Sequence, residues 1–236
     1  MKVLITRSRT MNQNTEFALD AKGYTGIGCS LVEMIDTGNE IPKVGYGGVI
    51  FTSQAALEIL EEREKNGQMI SRTLNVYAVG EKTGELARKL GFTNVFISNG
   101  GAQALNDLID ETKFEKPLLY LAGVNRAYNF LTVDTVLVEI YEARLSDPGK
   151  EFLQWALNQV SGGCAFLYSV RTATHLLDLI SHHNLEKYIE NVTFIAISKM
   201  VAEAIASKIK LPVQTATDPS QAQMIELLGK IEKSRT

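Results

Sequence analysis

The sequence predicts an α/β protein with parallel sheets, laid out as a doubly wound unit that occurs twice. Three observations predict it. Short apolar runs rich in Val, Ile and Phe alternate with longer helical patterns, the signature of parallel strands joined through helices. The runs fall about five to each half of the 236 residues. The two halves also match each other in order.

Taken along the chain, the strand runs are Val3-Leu4-Ile5, Leu31-Val32, Val49-Ile50-Phe51, Val76-Tyr77-Ala78-Val79 and Val95-Phe96-Ile97. The second set is Leu118-Leu119-Tyr120-Leu121, Val136-Leu137-Val138, Ala165-Phe166-Leu167, Phe194-Ile195-Ala196-Ile197 and Val213. "VIFTSQAALEIL" aligns with "AFLYSVRTATHLLDLI", which pairs Ser53 with Ser169, 116 residues apart. Gly80 pairs with Ser198 and Gln103 with Gln221, each 118 apart. "KVLITR" aligns with "LLYLAG", and "LVEMIDT" with "LVEIYEA". A duplicated five-stranded unit accounts for all of these matches.

Both copies of the second-strand motif, "EMIDTGNEIP" and "EIYEARLSDP", run into polar, Pro-containing stretches. Both are candidate linkers between domains. The residues allow domains of 1–113 and 114–236, or domains that exchange segments at the two crossings.

Ligands of a doubly wound sheet bind beyond the carboxyl ends of its strands. There, Ser53 is placed to cap a helix from about Gln54 to Lys65, and Ser169 one from about Val170 to Ile180. Ala56, Leu57 and Leu60 should face the sheet, and Glu58, Glu61, Glu62 and Arg63 solvent. Leu176, Leu177 and Ile180 should point inward from the second helix. Gly80 lets the chain turn after Val79, with Thr83 in the following turn. Gly100-Gly101 and Asp218-Pro219-Ser220 open two more helices. Helix N-termini present unpaired N–H groups and partial positive charge, so such an edge suits carboxylates or phosphates. A plain structural cap, worth ~1 kcal/mol, remains open for each hydroxyl taken singly.

Other chemistry is poorly supported. A formal net charge of −3 lacks the dominant basic face that nucleic acid or an anionic membrane would require. Cys29 and Cys164 form no CxxC pair and read as small core residues in a reducing cytoplasm. His175, His182 and His183 lack metal-ligand spacing, so no metal is expected. "AVGEKTG" is not a dinucleotide fingerprint, and there is no Walker loop or nucleophile elbow. "MKVLITRSR" lacks a signal-peptide core, and no run approaches a membrane span. Arg7, Arg126, Arg171 and Lys199 follow strand ends and can meet carboxylates, although solvated charges are the plainer reading. His175 reads as an exposed side chain that could rim the site. Tyr141 sits at a crossing.

The ordered set "KVLITR … VIFTSQAAL … YAVGEKTGELARKLG … LYLAG … IYEA … FLYS … AIS … PSQAQMIELL" resembles the uroporphyrinogen-III synthase family over nearly the whole chain. The resemblance implies two duplicated doubly wound (flavodoxin-like), three-layer α/β domains with parallel five-stranded sheets, joined by a two-stranded linker. It implies exchanged boundaries: residues 1–35 with 146–236, residues 38–142, and linkers near 35–38 and 142–146. The active site would lie in the cleft between the domains.

The implied reaction needs no cofactor and no metal. Hydroxymethylbilane, a linear tetrapyrrole with eight carboxylates, closes to uroporphyrinogen III with loss of water and inversion of its last pyrrole ring. Tyr141 matches the family's linker Tyr, the group implied to assist the leaving hydroxyl; a phenol is protonated at neutral pH and able to donate. Ser53, Thr83 and Ser169 match hydroxyl positions lining the site, and Arg7 matches the basic residue after the first strand. Gly80, Gly101, Arg126, Ser198, Lys199 and Ser220 complete the expected substrate-binding set. Where the family carries Ser-Pro-Ser, this chain has Ser169-Val170-Arg171. Where it carries a Thr pair, this chain has Met200-Val201. That departure motivates an alternative: a catalytically inactive two-domain anion-binding or regulatory module. The expected setting is a cytoplasmic monomer that binds no nucleic acid or membrane, with at most a transient contact to the enzyme that makes hydroxymethylbilane.

Overall fold

A computed structural model describes residues 1–110, 117–126, 134–206 and 208–234, without the side chains of residues 102 and 110. In chain order the first elements are β1 (Lys2–Ile5), α1 (Arg9–Asp20), β2 (Thr25–Gly28), β3 (Val32–Asp36), β4 (Gly48–Phe51) and α2 (Gln54–Lys65). Next come β5 (Asn75–Val79), α3 (Glu81–Lys89), β6 (Asn94–Ser98), α4 (Gly101–Asp110), β7 (Leu118–Gly123) and β8 (Thr135–Leu145). The last are α5 (Lys150–Gln159), β9 (Cys164–Leu167), α6 (Val170–His182), β10 (Thr193–Ala196), α7 (Lys199–Ala206), β11 (Val213–Thr215) and α8 (Gln221–Lys233). The chain divides into two compact units, Met1–Glu33 with Arg144–Thr236, and Met34–Ala143.

The discontinuous unit carries a sheet of order β11-β10-β9-β1-β2, in which every neighbouring pair is parallel. Both faces of its strands are covered. Leu4, Ala165, Leu167, Phe194 and Ala196 pack with Leu157 of α5, Leu176 and Ile180 of α6, and Ile205 of α7. Val3, Ile5, Phe166 and Ile195 pack on the opposite face with Leu19 of α1 and Met224 and Leu228 of α8. Burial on both faces explains why these strands read as unbroken apolar runs rather than as alternating ones. Cys29 and Cys164 are free and buried.

The continuous unit carries the order β3-β8-β7-β4-β5-β6, with parallel pairing from β8 through β6. One face packs Val49, Phe51, Ala78 and Leu121 against Ala56, Leu57 and Leu60 of α2 and Ala87 of α3. The other packs Ile50, Tyr77 and Tyr120 against Leu105 and Ile109 of α4.

Three expectations are corrected. The second sheet has six strands, not five. The second strand of the chain is not the run Leu31-Val32 but β2, sequence "TGIG", which pairs with β1. β2 escapes notice because α1 lies directly on it: a Cβ at Gly26 would stand 2.7 Å from Glu16 Cγ and 3.1 Å from Glu16 Cα. Glycine is required there, and the apolar signal is lost. Residues from Val32 onward instead form β3, which lies beside β8 in the other sheet, so the matched segments "LVEMIDT" and "LVEIYEA" are neighbours. Third, Arg63 does not face solvent. It is 7% exposed. Its Nε donates to Asp36 Oδ2 at 2.9 Å and its Nη1 to the Asn39 carbonyl at 2.6 Å, with Nη2 on Asp36 Oδ1.

Candidate active site

Ser53 lies between β4 and α2 in extended conformation (φ −154°), and its Oγ accepts from the Ala55 amide at 3.2 Å. Its neighbour Thr52 turns toward the sheet, where Thr52 Oγ1 lies 3.1 Å from the Tyr120 hydroxyl. Burial pushes the Tyr120 pKa up against the Thr52 hydrogen bond, so the phenol stays protonated. Gly80 caps α3 at φ +81°, a region open to Gly without the Cβ penalty. Thr83 is 6% exposed, and its amide already bonds the Gly80 carbonyl at 3.1 Å. Gly101 opens α4 at φ +80°, and its carbonyl accepts from Ser98 Oγ at 3.0 Å. α2, α3 and α4 therefore all begin at the carboxyl edge of this unit's sheet.

Tyr141 reaches the same edge by a different device. The β7–β8 register runs Ala122↔Glu139 and then Gly123↔Tyr141, so β8 carries one extra residue. Such a bulge re-aims the side chains beyond it. The Tyr141 ring lies over Gly123, and its carbonyl accepts from the Val124 amide at 2.9 Å. Arg126, close in sequence, donates to Glu139 Oε1 at 2.6 Å. Its charge is thus shared with a carboxylate rather than solvated.

In the discontinuous unit Ser169 is extended (φ −152°) and accepts from the Thr172 amide at 3.1 Å, with Thr172 Oγ1 2.7 Å from its own hydroxyl. Ser198 sits before α7 and accepts weakly from the Val201 amide at 3.5 Å. Ser220 accepts from the Gln223 amide at 3.3 Å. Lys199 is exposed and pairs with Glu203 of the next turn at 3.6 Å. Arg7 follows β1 with its guanidinium carbon 4.3 Å above the Tyr168 ring centroid. Its Nη1 reaches Gln221 Oε1 at 3.5 Å. His175 is half-buried rather than exposed. It is occupied with the Ser146 carbonyl 2.9 Å from its Nε2.

Arg7 and Ser220 thus come together through Gln221, and Tyr141 and Arg126 through Gly123 and Glu139. Nothing in the sequence marks Tyr120, Tyr168, Gln221 or Glu139 as residues of the site. Tyr120 and Tyr168 lie in or beside apolar strand runs, where an aromatic reads as core. Among the described residues no group of three or more His, Cys, Asp or Glu is placed to hold a metal ion. No described helix is long and apolar enough to cross a membrane.

The sequence profile of Uroporphyrinogen-III synthase HemD matches residues 14–226. The chain belongs to this family. Its structure is similar to uroporphyrinogen-III synthetase from Helicobacter pylori 26695, with a TM-score of 0.63 and 20% identity over 98% of this chain and 99% of that one. Wild-type uroporphyrinogen III synthase from the extremely thermophilic bacterium Thermus thermophilus also matches, with a TM-score of 0.44 and 14% identity over the full length of both. Comparison with curated proteins found no match. As a uroporphyrinogen-III synthase, the chain is a cyclising lyase of tetrapyrrole biosynthesis. The mixed α/β architecture with parallel sheets is that of the Helicobacter pylori synthase.

Proposed function

We propose that this synthase closes hydroxymethylbilane to uroporphyrinogen III, with inversion of the last ring, by holding substrate carboxylates on helix N-termini at the sheet edges. The observation that carries this is the recurrence of one device. α2, α3 and α4 in one unit, and α6, α7 and α8 in the other, all start at carboxyl ends of parallel strands. Ser53, Ser169, Ser198 and Ser220 each cap one amide, and the remaining first-turn N–H groups point outward as donors. A polycarboxylate is met in this way without a basic surface, in keeping with the net charge of −3.

The strand orders support the finer architectural reading. With β3 set aside, each sheet has five strands. Numbered from β1, the discontinuous unit has the order 2-1-3-4-5, and the other has the same order when numbered from β7. That is the flavodoxin-like order, in a chain whose two copies exchange segments. The compact units support domain boundaries near 1–35 with 146–236, and 38–142.

In the mechanism we favour, the Tyr141 hydroxyl donates its proton as the terminal C–O bond breaks, so that water leaves and an azafulvene forms. The substituted carbon of the far ring attacks it to give a spiro intermediate, which fragments and recloses with that ring inverted. Loss of a ring proton restores aromaticity and can return the proton to the Tyr141 oxygen. Acid assistance of this kind contributes typically ~10²–10⁴-fold. Holding a flexible chain for the inverting closure supplies up to ~7–11 kcal/mol. Arg7, Thr83, Gly80, Gly101, Arg126 and Lys199 complete the binding set.

The test uses hydroxymethylbilane generated enzymatically in situ, with oxidation and chromatographic separation of porphyrin isomers I and III. Isomer III should rise with protein concentration. Isomer I alone at every concentration would leave only the inactive binding module.

A further inference from the structure

Among the described residues, Arg7 stands apart from the other half-buried or buried arginines. Arg63, Arg72 and Arg126 are each paired with a carboxylate, Asp36, Glu64 and Glu139. Arg7 is half-buried and has no carboxylate partner among the described residues. It is nevertheless well held. Its amide donates to Asn12 Oδ1 at 2.9 Å, which fixes the turn after β1. Its guanidinium lies over the Tyr168 ring, and one nitrogen reaches Gln221 Oε1. The same oxygen is 3.0 Å from Thr15 Oγ1, and Thr15 is fully buried, so Gln221 is itself anchored. Tyr168 is anchored too, its ring edge-on to Phe166 at 6.2 Å.

Tyr168 occupies the position that Thr52 occupies in the other unit, 116 residues earlier. There, the Thr52 hydroxyl bonds Tyr120. Here burial raises the Tyr168 pKa, Thr15 and Arg7 beside the hydroxyl oppose that shift, and no group meets full hydrogen-bond geometry at the oxygen. In this unit the position meets Arg7 with its ring face, where the other unit uses a hydroxyl hydrogen bond. A cation over an aromatic face is attracted by the ring quadrupole. A guanidinium supported below and tethered at one nitrogen keeps its remaining N–H fork for a planar acceptor such as a carboxylate.

We propose that Tyr168 and Gln221 are positioning residues that hold Arg7 as a preorganised clamp for one substrate carboxylate. The inference rests on the assignment of Arg7 to substrate binding. It extends the site to two side chains that need not touch the substrate. Rigid support of this kind lowers the ordering cost of binding, so its loss appears in KM rather than kcat.

Five variants test it in steady-state kinetics with enzymatically generated hydroxymethylbilane, with circular dichroism verifying the fold. Arg7→Gln should raise KM on the order of tenfold, the worth of a charge-assisted pair. Tyr168→Leu should raise KM roughly fivefold with kcat nearly unchanged, whereas Tyr168→Phe, which keeps the ring, should match the wild type. Gln221→Glu should raise KM more than Gln221→Leu, because a built-in carboxylate competes with the substrate for Arg7. If Arg7→Gln raises KM but neither Tyr168→Leu nor Gln221→Glu does, the positioning role is wrong while Arg7 stands. If Arg7→Gln leaves KM unchanged, the assignment of Arg7 itself fails. A Tyr168→Phe variant as impaired as Tyr168→Leu would overturn the ring-face argument in favour of the hydroxyl. Should Tyr168→Leu not fold, Gln221→Glu against Gln221→Leu decides.

Discussion

The Tyr141 ring occupies the space in which a side chain at residue 123 would stand. A Cβ on Gly123 would come within 2.7 Å of Tyr141 Cζ and 2.9 Å of its hydroxyl oxygen. Gly123 and the extra residue of β8 together set where the phenol points.

Gly123→Ala should therefore displace the phenol and lower kcat at least tenfold, while overpacking costs about 1–3 kcal/mol of stability. Tyr141→Phe should lower kcat by about 10²-fold or more if the phenol is the acid, with thermal unfolding little changed. Turnover in Tyr141→Phe equal to wild type would remove the residue from that role; turnover unaffected in Gly123→Ala would show that the ring tolerates displacement.

Ser53→Ala and Ser169→Ala each remove a helix cap and should cost ~1 kcal/mol in urea unfolding. Their effect on KM should stay within about threefold, because the neighbouring amides remain. A loss of kcat beyond tenfold in either would instead indicate a hydroxyl acting in the chemistry.

Arg63→Met should destabilise by about 1.5–3 kcal/mol, the worth of hydrogen bonds to a charged group. Arg63 hydrogen bonds hold the Asp36 pKa below its ordinary value, against the opposing effect of burial. A lowered carboxylate contributes stability that is present above its unfolded pKa of about 3.9 and lost as pH falls through the folded value. The gap between wild type and Arg63→Met should thus be constant at neutral pH and narrow below about pH 4. A gap unchanged down to pH 2.5 would exclude the ion pair as its source.

Burial pushes the Cys29 thiol up to about 12, with Asp147 adding to the shift. Thiolate is the reactive form, so neither Cys29 nor the equally buried Cys164 should react with a disulfide reagent at pH 8 until denaturant is added. Prompt modification of the folded protein would contradict the packing described.

Gly26→Ala should force α1 off β2, given the 3.1 Å approach to Glu16 Cα. A loss of about 1–3 kcal/mol is expected, together with faster amide exchange in β2. Unchanged exchange there would mean that α1 sits farther from the strand.

Local signals in the sequence carried much of this. Ser53 and the spacing of Ala56, Leu57 and Leu60 mark α2, and its ends fall at Gln54 and Lys65 as expected. Signals that depend on a distant partner were invisible. Arg63 reads as one more charge on a polar face, because Asp36 lies 27 residues away. β2 reads as a loop because contact with α1 demands glycine where a strand would show Val or Ile. Tyr168 reads as core because a strand run hides an aromatic, and only the turn after β1 brings Arg7 over its ring.

The interrupted unit also bears on how the protein is made. Val3 pairs with Cys164, so β1 waits for a neighbour translated roughly 160 residues later. At about 5–20 residues per second that wait lasts on the order of ten to thirty seconds. The stretch Met34–Ala143 has no such delay and can close on itself first. Birth order and assembly order are therefore reversed for β1, whose Val3, Leu4 and Ile5 stay uncovered on the side of β9 in the meantime.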